Sequence, residues 1–426
     1  MTKMQRGEPE SLYACIRLAA ALALMTLGGA GMYGVVVALP PVQAQFGVAR
    51  ADAALPYTLT MIGFGLGGIL MGRLSDRFGV IVPVLIGGLS LGLGFIAAGM
   101  ATNLWWFAIA HGLLIGFLGC SATFAPLVAD ISLWFTRHRG IAVAICISGN
   151  YLAGALWPPL LQYFFDNSGW RATYIGVGVF CIAVMLPLSL QLRKRPPLPE
   201  THEISSQTIL RSEKPLGLAP NALLGLLSIA GVGCCVAMSM PQVHIVAYCG
   251  DLGYGAARGA QMLSLMLGFG IVSRLASGWV SDRIGGLRTL LLGSALQGIA
   301  LALFLPFDGL VSLFVVSALF GLFQGGLVPS YAIIVRELFP PGEAGTRTAV
   351  VLMATLFGMA LGGWLSGAIF DLTGSYRAAF INGIAWNLLN MSIALWLLRR
   401  RLRWIQLRCK PRPVASGPNS RRGSLC

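Results

Sequence analysis

Gly72-Arg73-Leu74-Ser75-Asp76-Arg77-Phe78-Gly79 lies between two apolar runs, 55–71 and 80–100, each about long enough to cross a bilayer as a helix. The spacing predicts a tight turn here, with two arginines and an aspartate on it. Arginines concentrated in a short inter-helix loop mark the inner side of a membrane, and glycines permit a sharp turn and close helix approach. A second copy stands at Gly278-Trp279-Val280-Ser281-Asp282-Arg283-Ile284-Gly285. Asp76 and Asp282 are 206 positions apart in a chain of 426, so the loop recurs because half the protein does.

With 56% hydrophobic and 11% charged residues and a mean hydropathy of +0.76, a soluble globular class is excluded. Apolar runs fill nearly the whole chain, so the expected fold is all-α and polytopic. Barrel strands would alternate and carry weaker hydropathy. The net charge of +15 is orientation rather than nucleic-acid binding: 25 of 30 basic residues fall inside, four outside (Arg50, Arg171, Arg258, Arg377) and one, Arg274, within the membrane. That asymmetry puts both termini in the cytoplasm and attracts anionic headgroups. It implies a cell-membrane protein, in the inner membrane if the source is bacterial. The nine cysteines lack metal spacing, so no metal or cofactor is expected.

Twelve spans can be counted: 17–41, 55–72, 80–100, 104–129, 140–163 and 172–192, then 221–248, 259–279, 288–306, 309–335, 346–370 and 377–398. The expected organisation is a cytoplasmic segment 1–16, a six-helix bundle 17–192, a polar linker 193–219, a second bundle 220–398 and a basic tail 399–426. The repeat holds at three further places. Trp134-Phe135 is echoed by Leu338-Phe339, Asp130 by Arg336-Glu337, and Asp166 to Arg171 by Asp371 to Arg377, all at offsets of 204 to 207.

Two six-helix halves, each with Gly-x-x-x-Asp-Arg-x-Gly after its second span, resemble the major facilitator superfamily over roughly 17–398. A narrower resemblance rests on Trp134 to Ala142, Ser148-Gly149-Asn150, Pro158-Pro159, Gly169-Trp170-Arg171 and Ser273-Arg274-Leu275. These are similar to the monocarboxylate transporter and oxalate–formate exchanger branch. The resemblance implies transport of a small organic anion by alternating access in a monomeric functional unit.

Arg274 carries the sharpest chemistry. It precedes Asp282 by eight residues, about 12 Å deeper on a continuous helix and a little inside the midplane. A guanidinium there is expensive and is normally kept to face a cavity and meet an anion. The bland alternative is an arginine that snorkels or braces helices. All fifteen Asp and Glu lie in loops or at helix ends, so no carboxylate shares its depth. In the resembled branch an arginine at this position holds the substrate carboxylate. The chain departs from that branch at Gly270, where an aspartate is expected, and at Gly28-Gly29-Ala30-Gly31-Met32-Tyr33, which lacks the first-helix lysine. The uncharged Ala354-Thr355-Leu356-Phe357 stands where exchangers carry a second cation. One cation implies a monoanionic substrate.

If protons are coupled, His244 and His111 are the candidate sites. Tyr33, Asn150, Gln324 and Tyr331 either contact substrate, as His244 would, or join helix to helix. Gly72, Asp76, Arg77, Gly79 and their counterparts Gly278, Asp282, Arg283 and Gly285 form the conformational loop motif. With Asp130 nearby, Asp76 and Arg77 are expected to form rim ion pairs that differ between states of a rocking carrier. No phosphate-binding loop is present, and no nucleophile–base pair speaks for an enzyme. An exporter of amphipathic drugs or metabolites would also suit an apolar cavity, and a membrane sensor that does not transport is the alternative from another class.

Overall fold

In a computed structural model the described residues are 10–135, 137–194 and 215–408. Most of the expected linker, the chain's first nine residues, Thr136 and the tail from 409 onward lie outside them. Among the described residues, twelve helices are long and apolar enough to cross a membrane. They are α1 (Leu12–Phe46), α2 (Arg50–Phe78), α3 (Ile81–Gly99), α4 (Leu104–Trp134), α5 (Gly140–Ser168) and α6 (Trp170–Leu192). The second half supplies α7 (Pro220–Asp251), α8 (Ala256–Ile284), α9 (Gly286–Leu303), α10 (Leu310–Leu338), α11 (Glu343–Thr373) and α12 (Tyr376–Trp404). Two six-helix bundles result, one per sequence half.

The helices run past the apolar spans, and the loop motif is where this matters. Gly72 to Phe78 is not a turn but the last two turns of α2. The chain reverses at Gly79, with φ +86, whose N–H still caps the helix on Ser75 O. Gly285, φ +83, does the same for α8 on Ser281 O. A side chain at either position would be strained.

Internal symmetry reaches the helix contacts. An added Cβ at Gly116 of α4 would lie 2.6 Å from Thr60 O of α2, and one at Gly321 of α10 would lie 1.9 Å from Met266 O of α8. Both pairs therefore cross with backbones nearly touching, as small residues allow. Both crossing helices are also broken. Part of α4 winds as a π-helix over Ala110–Cys120 before resuming at Ala125, and α10 stops at Gln324 and restarts at Leu327.

The halves meet through α2 on α11 and α5 on α8. Contacts on the first pair run from Gly367 against Ala51, through Thr58 Oγ1 donating to Ala360 O at 3.1 Å, to Gly65 against Met353. The face holding Arg50, Asp251 and Asp371 is thus closed. Toward the opposite, motif-bearing face, Gly68 and Gly72 of α2 and Gly345 of α11 have open space around them.

Candidate functional site

Arg274 projects from the middle of the uninterrupted α8 into the seam between the halves. Its guanidinium carbon lies 4.4 Å from the ring centroid of Tyr151, on α5 of the other half. Nε makes a long contact, 3.5 Å, to Gly325 O, exposed by the break in α10. No ion pair to Arg274 is formed among the described residues. A half-buried cation resting on an aromatic face, with its outer N–H groups free of carboxylates, can receive a planar anion on its fork.

Gly270 explains one departure from the resembled branch. A Cβ there would be 2.4 Å from Tyr151 Cε1. The tyrosine ring occupies the space an acidic side chain at 270 would need. Tyr33 of α1 joins the same wall: a Cβ on Gly154 would lie 2.7 Å from its Cζ and 2.2 Å from Leu267 Cδ1. Its phenol is within electrostatic reach of Tyr151 and Arg274. Asn150 turns away, its Oδ1 3.5 Å from the Cβ position of Gly29 at the kink of α1. The structure thus gathers Arg274, Tyr33 and Tyr151, the last of which the sequence reading missed.

The remaining candidates go elsewhere. His244 is fully buried, with Nε2 2.8 Å from Gly363 O and Nδ1 3.2 Å from Tyr376 Oη. Both ring nitrogens are already engaged, so it does not face the Arg274 seam as a free ligand. Tyr331 is buried in the second bundle and donates to Asn390 Oδ1 at 2.7 Å, which is helix-to-helix bonding. Gln324 is buried at the break of α10, with neither amide atom hydrogen-bonded. His111 sits in the first bundle among Phe95, Phe107 and Tyr174, with Nδ1 3.4 Å from Thr60 Oγ1.

The rim expectation needs correcting. Asp130 does not pair with Asp76 and Arg77. It is taken by Arg17 of α1 through two hydrogen bonds, 2.7 and 2.8 Å. Arg17 is fully buried, with its guanidinium 4.6 Å from the Trp134 ring. Its charge needs a buried partner once α1 begins at Leu12, before the apolar run. In this conformation Asp76 is exposed and Arg77 lies over Phe78, 5.2 Å from its ring. Arg283 likewise lies 3.6 Å over Trp279, while Asp282 is exposed. Glu337, the counterpart of Asp130, accepts from the Gly286 N–H at 2.7 Å and from Arg401 at 2.6 Å. Each half therefore fixes its motif-bearing end internally, by different partners.

The sequence matches the Major Facilitator Superfamily over residues 20–316 and 278–413. Monocarboxylate transporter 13 of Bos taurus is 30% identical over 325 residues, covering 72% of this chain and 71% of that protein. Monocarboxylate transporter 11 of Homo sapiens is 27% identical, covering 89% of this chain and 82% of its own. Among solved structures, that of the nucleoside transporter NupG superposes with a TM-score of 0.68 at 15% identity, covering 92% of this chain and 100% of that one. This last likeness is one of fold.

Proposed function

The chain belongs to the Major Facilitator Superfamily, and from that premise we propose that it moves a small organic monocarboxylate across the membrane by alternating access. It is a multi-pass transporter rather than an enzyme. The observation that carries the substrate class is Arg274: a cation in the seam between the halves, stacked on Tyr151 of the opposite half and without an acidic partner among the described residues. A carboxylate answers it with two parallel hydrogen bonds and a negative charge; an ammonium has neither and a neutral solute lacks the charge. Because the guanidinium and the Tyr151 ring come from different halves, a bound anion touches both. Its binding then couples to their rocking. Tyr33 and Leu267 bound the apolar remainder of the substrate.

In this reading the motif-bearing face and both termini are cytoplasmic, and the closed face is external. The functional unit is one chain, held by its basic ends against anionic headgroups. Uptake of a panel of labelled monocarboxylates into proteoliposomes tests the proposal. Saturable uptake of at least one small monocarboxylate, competed by related acids but not by amines, supports it. Uptake confined to cationic or neutral amphipathic solutes overturns it.

A further inference from the structure

Arg50 and His244 take no part in the anion site, yet they belong to the densest polar contact between the halves. Arg50, at the start of α2, is 8% exposed. Its Nη1 donates to Tyr376 Oη at 2.6 Å and to Asp251 Oδ2 at 3.1 Å, and its Nη2 to Asp251 Oδ1 at 3.2 Å. The guanidinium also covers Phe370, 4.7 Å from its centroid. The backbone N–H groups of Arg50 and Ala51 donate to Asp371, at 2.9 and 2.7 Å. A carboxylate from the second half thereby caps the N-terminus of a helix in the first. All these bonds join α2 to α7, α11 and α12, and all must break for the closed face to open.

The hydroxyl of Tyr376 links this contact to His244. A carbonyl can only accept, so His244 Nε2, 2.8 Å from Gly363 O, carries the ring hydrogen in the neutral imidazole. Nδ1 then accepts from Tyr376 Oη at 3.2 Å, and that oxygen accepts from Arg50. Hydrogens thus run in one direction, from Arg50 to Tyr376 to His244 to Gly363, each with an acceptor. A second proton on His244 can go only to Nδ1, facing the same hydroxyl. The hydroxyl would then face an N–H donor on both sides, its own hydrogen would lose its acceptor, and an imidazolium would stand beside a guanidinium. The charges facing this site are Arg50 on α2, Asp251 on α7, which is paired with Arg50, and Asp371 on α11, which caps α2. Tyr248 on α7 and Tyr376 on α12 face it as neutral phenols, with Arg377 of α12 beyond Tyr248. The aspartates can hold one cation more tightly than two.

We infer that Arg50 latches the closed face of the carrier, and that protonation of His244 displaces it and opens that face. The inference rests on the two halves rocking during transport but not on what is carried. Its test therefore reads geometry without substrate. Spin labels at Asn167→Cys and Leu372→Cys, exposed on the closed face in opposite halves, report the opening by double electron–electron resonance. Cys15, Cys409 and Cys426 are replaced by Ser. Between about pH 7.5 and about pH 5, a span that covers the ordinary titration of a hydrated imidazole such as the opened face would give His244, the open-to-closed ratio of the otherwise unaltered protein should rise about tenfold. Arg50→Gln should be largely open at both values, and His244→Gln closed at both. Tyr376→Phe keeps every charge and ring and should lose the pH response, which guards against a poorly folded Arg50 variant. A closed Arg50→Gln protein, or a pH response that survives in His244→Gln, overturns the inference.

Discussion

The Arg274 guanidinium rests on the ring of Tyr151, and Gly270 leaves room for that ring. Tyr151→Leu keeps the apolar bulk and removes the π face, which should cost about 0.5–2 kcal/mol, or roughly 2- to 30-fold in carboxylate affinity. Equilibrium binding on the purified variant checks this, and an unchanged affinity would remove Tyr151 from the site. Arg274 was legible in the sequence because a permanent charge at that depth demands an explanation. Tyr151 was not, since an aromatic residue on an apolar helix reads as ordinary packing. His244 reads as a neighbour of substrate because its helix lines the cavity in the resembled fold, and Tyr331 because it is polar. Their partners, Gly363 and Tyr376 for one and Asn390 for the other, come from helices far along the chain, and no local pattern announces them.

Among the elements, the paired crossings of α2 with α4 and of α8 with α10 carry the sharpest packing demand. Gly321→Val forces side-chain atoms into Met266 backbone. Overpacking of this kind costs about 1–3 kcal/mol, read as a lower melting temperature in detergent; Gly345→Val, where a Cβ meets nothing within 4 Å, should leave it in place. Span number and order were readable because some 20 apolar residues per helix leave little choice. Helix ends were not, because the polar residues from Gly72 to Phe78 continue the helical bonding until Gly79 stops it. The same holds at the entry to α1. Glu10 accepts from the backbone N–H groups of His138 and Arg137 at 2.8 and 2.7 Å. Those bonds, that from His138 foremost, hold its carboxyl below the usual range. A depressed folded value means the tether is fully present above the unfolded carboxyl value and is lost as pH falls through the folded one. Amide exchange at Arg137 and His138, corrected for intrinsic rates, should therefore accelerate on acidification and lose that dependence in Glu10→Gln.

For the whole molecule, the proposed alternating access makes the exposed Asp76 and the closed opposite face features of one of two conformations. Asp76→Asn should slow transport while leaving substrate affinity within a few-fold, because the side chain lies on the rim and away from Arg274. Transient uptake rates and equilibrium binding separate the two effects; normal cycling with weak binding contradicts the assigned role. Reporter fusions at Arg195 and at the C-terminus should both read cytoplasmic. The twofold repeat was visible in the sequence through the loop motif and its fixed offset. The asymmetry was not: one half ties its motif-bearing end by Arg17 to Asp130, the other by Arg401 and Gly286 to Glu337, and only the folded chain shows which charges meet.

The most direct measurement takes melting temperature and monocarboxylate binding from the same purified Arg274→Gln sample. Removing the anion's charged partner should cost about 2–5 kcal/mol, roughly 30- to several-thousand-fold in affinity, with the melting transition kept because no protein carboxylate is left unpaired. Arg274→Lys, a point charge without the fork, should fall between. A folded Arg274→Gln protein that binds the carboxylate with near-unaltered affinity would contradict the anion site, and the monocarboxylate assignment with it.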